Sequence, residues 1–173
     1  MKTLYVIIGL LLLSLAGCHD IPVGYLVIEY ASYEPDSMVV RRVLDTSPGE
    51  LNPEFEALLN DGYPDWWITD ILYIPQFLNP GPDIERDKLQ LDWVSYPIGG
   101  LQGTAPIMTT ITRIETTGGD VEKMRSQLKV RGNGVFELPL HFDIPVGRYQ
   151  ISLNFKNEGH SKNLDNCFTI IVK

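Results

Sequence analysis

The sequence predicts a mainly β protein built around a β-sandwich. Several short segments alternate apolar and polar residues at period two, and Gly- or Pro-rich turns separate them at sandwich-like spacing. Only one stretch carries a full set of helix signals. Only two cysteines occur in 173 residues, so a packed core rather than a disulfide framework must hold the chain together.

Taken in order, residues 1–17 form a leader. Lys2 gives a positive start, and Leu4 to Leu15 make an apolar run broken only by Gly9 and Ser14. About a dozen apolar residues match a signal-peptide core and fall short of the ~20 that span a bilayer. Leu15-Ala16-Gly17-Cys18 resembles the lipobox of bacterial lipoproteins. That resemblance implies cleavage before Cys18, acylation of its thiol and new amino group, and a lipid-anchored protein of the cell envelope, on the outer membrane or cell surface. Two or three acyl chains make such an anchor stable.

The whole chain has 14 Lys and Arg against 22 Asp and Glu, a net charge of −8. Nucleic acid and a bare anionic bilayer are therefore excluded as main partners. The charge is lopsided: residues 19–119 hold 5 basic and 16 acidic side chains, residues 120–173 hold 8 and 6. Two regions with different surfaces follow, residues 18–96 and 97–173, divided at the stretch punctuated by Pro97, Gly99, Gly100 and Gly103.

In the first region, Gly24 to Ala31 is rich in aromatic and β-branched residues and predicts a strand. Tyr33 to Ser37 is a turn around Pro35, and Met38 to Leu44 predicts a second strand. Asn52 before Pro53 gives an N-cap and a first helical residue, with Phe55, Leu58 and Leu59 on one face and Gly62 as the stop. Trp66 to Phe77, apolar without clean alternation, is expected as a strand. After the break at Asn79-Pro80-Gly81-Pro82, Leu89, Leu91 and Trp93 alternate with polar neighbours as in a half-buried strand.

The second region reads more clearly. Ala105 to Glu115 is strand-like, and Asp120 to Met124 predicts a helical turn leading into a strand. Gly132-Asn133-Gly134 is a hairpin turn. Phe136, Leu138, Leu140 and Phe142 point inward, with Pro139 confining that strand to an edge or bulge. From Gly147 to Lys156, Tyr149, Ile151, Leu153 and Phe155 face in, and Arg148, Gln150, Ser152, Asn154 and Lys156 face out. Asn157 to Ser161 turns, and Leu164 to Val172 buries Phe168, Ile170 and Val172. Ile-Pro-Val-Gly stands before a strand at both 21–24 and 144–147.

Gly134 to Leu138, Pro145 to Leu153, Asn157-Glu158-Gly159 and Phe168 to Val172 resemble the last four strands of cadherin-like, immunoglobulin-fold modules. With Gly103 to Ile107 upstream, they resemble modules of surface lipoproteins from Bacteroidetes-type bacteria, some of them glycan-binding. The resemblance spans residues 97–173 and implies an immunoglobulin-like sandwich there. Cadherin calcium motifs are missing: only Leu164-Asp165-Asn166 stands near the expected place.

The residues that could carry chemistry are few. No nucleophile elbow, His-Glu-x-x-His, Cys-x-x-Cys or phosphate loop occurs, so the chain is expected to be a non-enzymatic binding protein without a cofactor or metal. His19, His141 and His160 are expected as solvated side chains. Asp83-x-Glu85-x-Asp87 offers oxygens at alternate positions, but Lys88 stands where a calcium loop needs glycine, so a solvated charge run is expected. No basic residue adjoins Cys167, which is expected to pack rather than react. Aromatic clusters remain. Tyr63, Trp66 and Trp67 are the candidate ligand-binding residues, because aromatic faces stack on the C–H faces of sugars. Trp93 and Tyr96 form a second cluster, with Trp93 expected inside. If extended, Trp66 and Trp67 face opposite ways, one more exposed than the other. The partner so implied is an extracellular glycan; the alternative is an adhesive or structural role, with the outward row from Arg148 to Lys156 meeting an acidic envelope protein.

Overall fold

The computed structural model describes residues 24–173; the leader, the Leu-Ala-Gly-Cys motif, His19 and the first Ile-Pro-Val-Gly lie outside the described residues. The described chain is mainly β with a few short helices. Its strands are β1 (Leu26–Val27), β2 (Ser37–Val40), β3 (Glu50–Leu51), β4 (Phe77–Leu78), β5 (Trp93–Val94), β6 (Gln102–Gly103), β7 (Met108–Thr117), β8 (Lys129–Val130), β9 (Phe136–Leu138), β10 (Gly147–Asn157) and β11 (His160–Val172). The α-helices are α1 (Pro53–Asn60), α2 (Ile84–Lys88) and α3 (Val121–Gln127), and Trp67–Ile71 forms a π-helical turn.

A four-stranded sheet runs in the order β2-β11-β10-β7, and a three-stranded one in the order β5-β9-β8. All neighbours are antiparallel except β2, which pairs parallel with β11, Val40 beside Val172. A short ladder of β1 on β6, extended by the Ser32–Gly99 bridge, precedes β2. Strands from both sides of residue 96 thus share sheets. The facing side chains meet in one core that includes Trp93, Phe136, Leu138, Tyr149, Ile151, Leu153, Phe155, Phe168 and Ile170. Phe136 of one sheet stacks on Phe168 of the other, ring centroids 4.9 Å apart, and Tyr33 leans on both.

Alternation along β10 accounts for that core, since Tyr149, Ile151, Leu153 and Phe155 are all fully buried. One residue of the outward row is covered. The register shift between Ile151 and Leu153 puts extra residues into β11, and this bulge closes over Ser152 on the outer face, where it is fully buried and its hydroxyl accepts the Asn166 N–H at 3.0 Å. Cys167 is half-buried and unpaired. At the 131–134 turn, Gly134 has φ +77°, and a Cβ there would come within 2.8 Å of the Tyr33 hydroxyl. That hydroxyl donates to the Gly134 carbonyl.

Three expected strands are corrected. The β pairing predicted for Gly24 to Ala31 is confined to Leu26–Val27, with an isolated bridge at Ser32. The apolar stretch from Trp66 is a π-helical turn, because Pro64 and Asp65 start it as a helix. The Pro64 carbonyl accepts from Trp67 and Ile68, Asp65 caps Trp66 at 2.8 Å, and Leu72 N–H reaches back to Trp67. An apolar run without period two carries no strand signal of its own. The alternating Leu89, Leu91 and Trp93 belong to the end of α2, a left-handed turn at Gln90 and β5; Leu89 and Leu91 are exposed and only Trp93 is buried.

Candidate functional site

The candidate site lies on an excursion between β2 and β5, residues 43–92, that leaves the four-stranded sheet and rejoins the core in the three-stranded one. Hydrogen bonds from Gly81 N–H to Ser47 O (2.8 Å) and from Asp83 N–H to Asp45 O (3.1 Å) close its neck. Asp83 sits inside that neck, 2% exposed, and accepts from Arg41 Nη1 at 3.1 and 3.3 Å and from Asp45 N–H at 3.0 Å. The expected solvated charge run is therefore corrected at Asp83: a buried carboxylate needs a paired cation, and Arg41 supplies it. Arg86 lies over the Trp93 ring, 4.1 Å from its centroid, and donates to the Leu91 and Asp92 carbonyls. The excursion is thereby tied to both sheets, beside β2 through Arg41 and at β5 through Trp93.

Beyond the neck β3 pairs with β4, and α1 follows as expected. Asn52 accepts from Glu54 N–H and donates to the Pro75 carbonyl at 2.8 Å, joining the start of α1 to the far arm. Phe55 and Ile68 are buried here, outside the main core. Few other apolar side chains are covered. Leu51, Leu59, Tyr63, Trp66, Ile71, Leu72, Tyr73, Phe77 and Leu78 are all exposed. Residues 43–92 also carry 11 acidic and 2 basic side chains. The Ser47 hydroxyl and N–H hold Asp45 below the usual carboxylate range.

Of the three candidate binding residues, Tyr63 and Trp67 come together, stacked with centroids 4.9 Å apart and planes 16° from parallel. Trp66 stands outside that stack and is 57% exposed, whereas Trp67 is half-buried. The unequal exposure arises on helical turns, where successive side chains point about 100° apart, rather than on opposite faces of a strand. Of the second cluster, Trp93 is buried and Tyr96 exposed. Tyr73, 83% exposed with φ 56°, is a further exposed aromatic side chain of the excursion. Its place in an apolar run hid it, because exposure follows from a turn no periodicity announced.

The position of this lobe in the molecule follows from strand direction. Gly24 lies beside the β10–β11 hairpin, where its carbonyl meets His160 Nε2 at 2.9 Å; His160 is half-buried there rather than solvated. Asn157 Nδ2 donates to Tyr25 O next to it. β2 runs parallel to β11 and ends beside Val172, and the lobe leaves just beyond, with Arg42 N–H bonded to Lys173 O. Gly24 and the lobe thus occupy opposite poles, separated by the 11 residues of β10, about 33 Å at strand rise.

Two concavities accompany the lobe pole. A cleft of about 590 Å³ is lined by Arg41, Arg42, Val43, Phe142, Val146 and Lys173, at the base of the lobe. A depression of about 340 Å³ on the outer sheet face is lined by Glu115, Thr117, Arg148, Gln150 and Thr169, so Arg148 and Gln150 of the outward row are open there, whereas Ser152 is covered by the β11 bulge. His141 is exposed. Among the described residues no three His, Cys, Asp or Glu side chains are grouped to hold a metal, and no helix is long and apolar enough to cross a membrane. Comparison with protein-family models, curated proteins and solved structures finds no match.

Proposed function

We propose that the chain is a lipid-anchored, non-enzymatic binding protein of the cell envelope that presents the acidic, aromatic lobe at its outer tip to an extracellular glycan. The observation that carries this reading is the opposition of poles. Cys18 precedes Gly24 by six residues, so an anchor there holds the Gly24 pole at the membrane and displays the lobe about 33 Å beyond it. A lobe with 11 acidic and 2 basic residues is repelled by an anionic lipid surface, which argues against its apolar side chains lying in the bilayer. Trp66, Tyr63 and Tyr73 supply flat C–H-binding faces, and the surrounding carboxylates accept from sugar hydroxyls. The same carboxylates favour neutral over anionic sugars.

The fold part of the proposal is an immunoglobulin-like sandwich. In its support, the first strand is split, β1 lying on the β6 side and β2 moving to β11. Tyr149 at the start of β10 donates to the Pro145 carbonyl four residues upstream, at 2.8 Å, which matches the tyrosine corner of such folds. On this reading residues 43–92 are an insertion between the first and second strands. A glycan array with the full chain tests the function, followed by titration of the Trp66→Ala variant. Binding of neutral oligosaccharides that Trp66→Ala weakens severalfold supports it; an empty array, or unchanged binding by the variant, overturns it.

A further inference from the structure

We infer that β7 is a self-association edge, on which a second copy of this chain adds its own β7 antiparallel about a two-fold axis at Ile114. β7 is the last strand of its sheet, ten residues long, and pairs only with β10. β7 bulges at Thr112, and from Arg113 to Thr117, beyond the bulge, its outward backbone groups find no other hydrogen-bond partner among the described residues. Unpaired N–H and C=O groups in a row are a template for another strand.

The side chains on this edge say which strand fits. Thr110, Ile111, Thr112, Ile114, Thr116 and Thr117 are β-branched, with no proline and no lysine to repel an approaching chain. The only charges on β7 itself are Arg113 and Glu115, each half exposed and 3.4 Å apart on the outer face, with Asp165 of β11 3.8 Å from Arg113 on its other side. Antiparallel pairing centred on Ile114 sets Arg113 of each copy opposite Glu115 of the other, giving two cross-strand ion pairs from one register. Shifting the register by two residues loses both. A self-complementary charge order is what an isologous two-fold contact requires. Antiparallel strands also place the two Gly24 poles at opposite ends of the pair. With the anchor proposed above at the Gly24 pole, on which this consequence rests, such a dimer joins copies arriving from facing surfaces, not neighbours standing side by side on one membrane. This inference does not rest on the glycan reading of the lobe.

The test is the association state of the full chain in detergent, by sedimentation, for wild type, Arg113→Glu, Glu115→Arg and the double reversal. Wild type is expected to dimerise with rising concentration. Each single reversal sets like charges opposite each other twice and weakens the dimer about tenfold. The double reversal restores it, and so does mixing the two single variants, whose charges are then complementary throughout. The mixture guards against loss of folding, because misfolded singles cannot rescue each other. A wild-type chain that stays monomeric at its highest tolerated concentration overturns the inference. So does a dimer indifferent to the single reversals, or singles that fail to pair when mixed.

Discussion

Asp83 holds Arg41 across the neck of the lobe, carboxylate to guanidinium at 3.1 Å, with Asp83 2% and Arg41 33% exposed. The asymmetry sets unequal costs for breaking the pair. Arg41→Met strands a carboxylate in the neck with one remaining N–H donor and should cost about 3–5 kcal/mol. Asp83→Ala leaves an arginine that can reach water and one unsatisfied N–H, and should cost about 1–3 kcal/mol. Urea melts give the order, and limited proteolysis between residues 45 and 81 shows whether the lobe opens first. Equal costs would mean that the burial of Asp83 is not what the pair answers to.

Tyr149 is fully buried, and its hydroxyl both donates to Pro145 O and accepts from Asp120 N–H at 3.1 Å. Tyr149→Phe keeps the ring and strands two backbone groups. Its expected cost is about 1–3 kcal/mol in a urea melt, and a neutral result would remove the corner from the list of stabilising contacts.

Core and surface along β10 should separate cleanly. Phe155→Ala is expected to cost ~3–5 kcal/mol, and Gln150→Ala under about 0.5 kcal/mol. Ser152→Ala tests the bulge: with its hydroxyl bonded to Asn166 N–H, it should cost about 1–2 kcal/mol. A Ser152 variant as silent as Gln150 would mean that the β11 bulge is not held by this hydroxyl.

Burial pushes the Cys167 thiol up to about 11 from 9.0, so its reactive thiolate at pH 8 falls about a hundredfold. Alkylation of the Cys167 peptide, followed by mass spectrometry, should be slow in the native chain and fast in urea. Its rate should keep climbing with pH past the ordinary thiol range. Fast native labelling would contradict the packing role.

Trp66→Ala should leave the urea midpoint nearly unchanged, since the ring is exposed, and remove a stacking contact worth ~0.5–1.5 kcal/mol from ligand binding. Ile68→Ala, two residues on and fully buried, should instead cost about 2–5 kcal/mol of lobe stability. The pair separates a binding surface from the core beneath it, by titration and by melting.

What could be read from residues alone was local and periodic. The alternation of Tyr149, Ile151, Leu153 and Phe155, the Asn52-Pro53 cap and the Gly132-Asn133-Gly134 turn each depend on neighbours a few positions away, and each stands in the structure. The clustering of Tyr63, Trp66 and Trp67 along the chain was equally legible. Where they sit was not. The parallel pairing of β2 with β11 joins residues more than 130 positions apart, and no local pattern encodes it; it forms because β2 buries Val40 beside Val172 in a core completed only when both sheets are present. Likewise Asp83, which looks solvated in a run of charges, is buried because Arg41 reaches it across the neck. Local propensity wrote the elements, but the burial of distant side chains against each other decided which pole the lobe occupies.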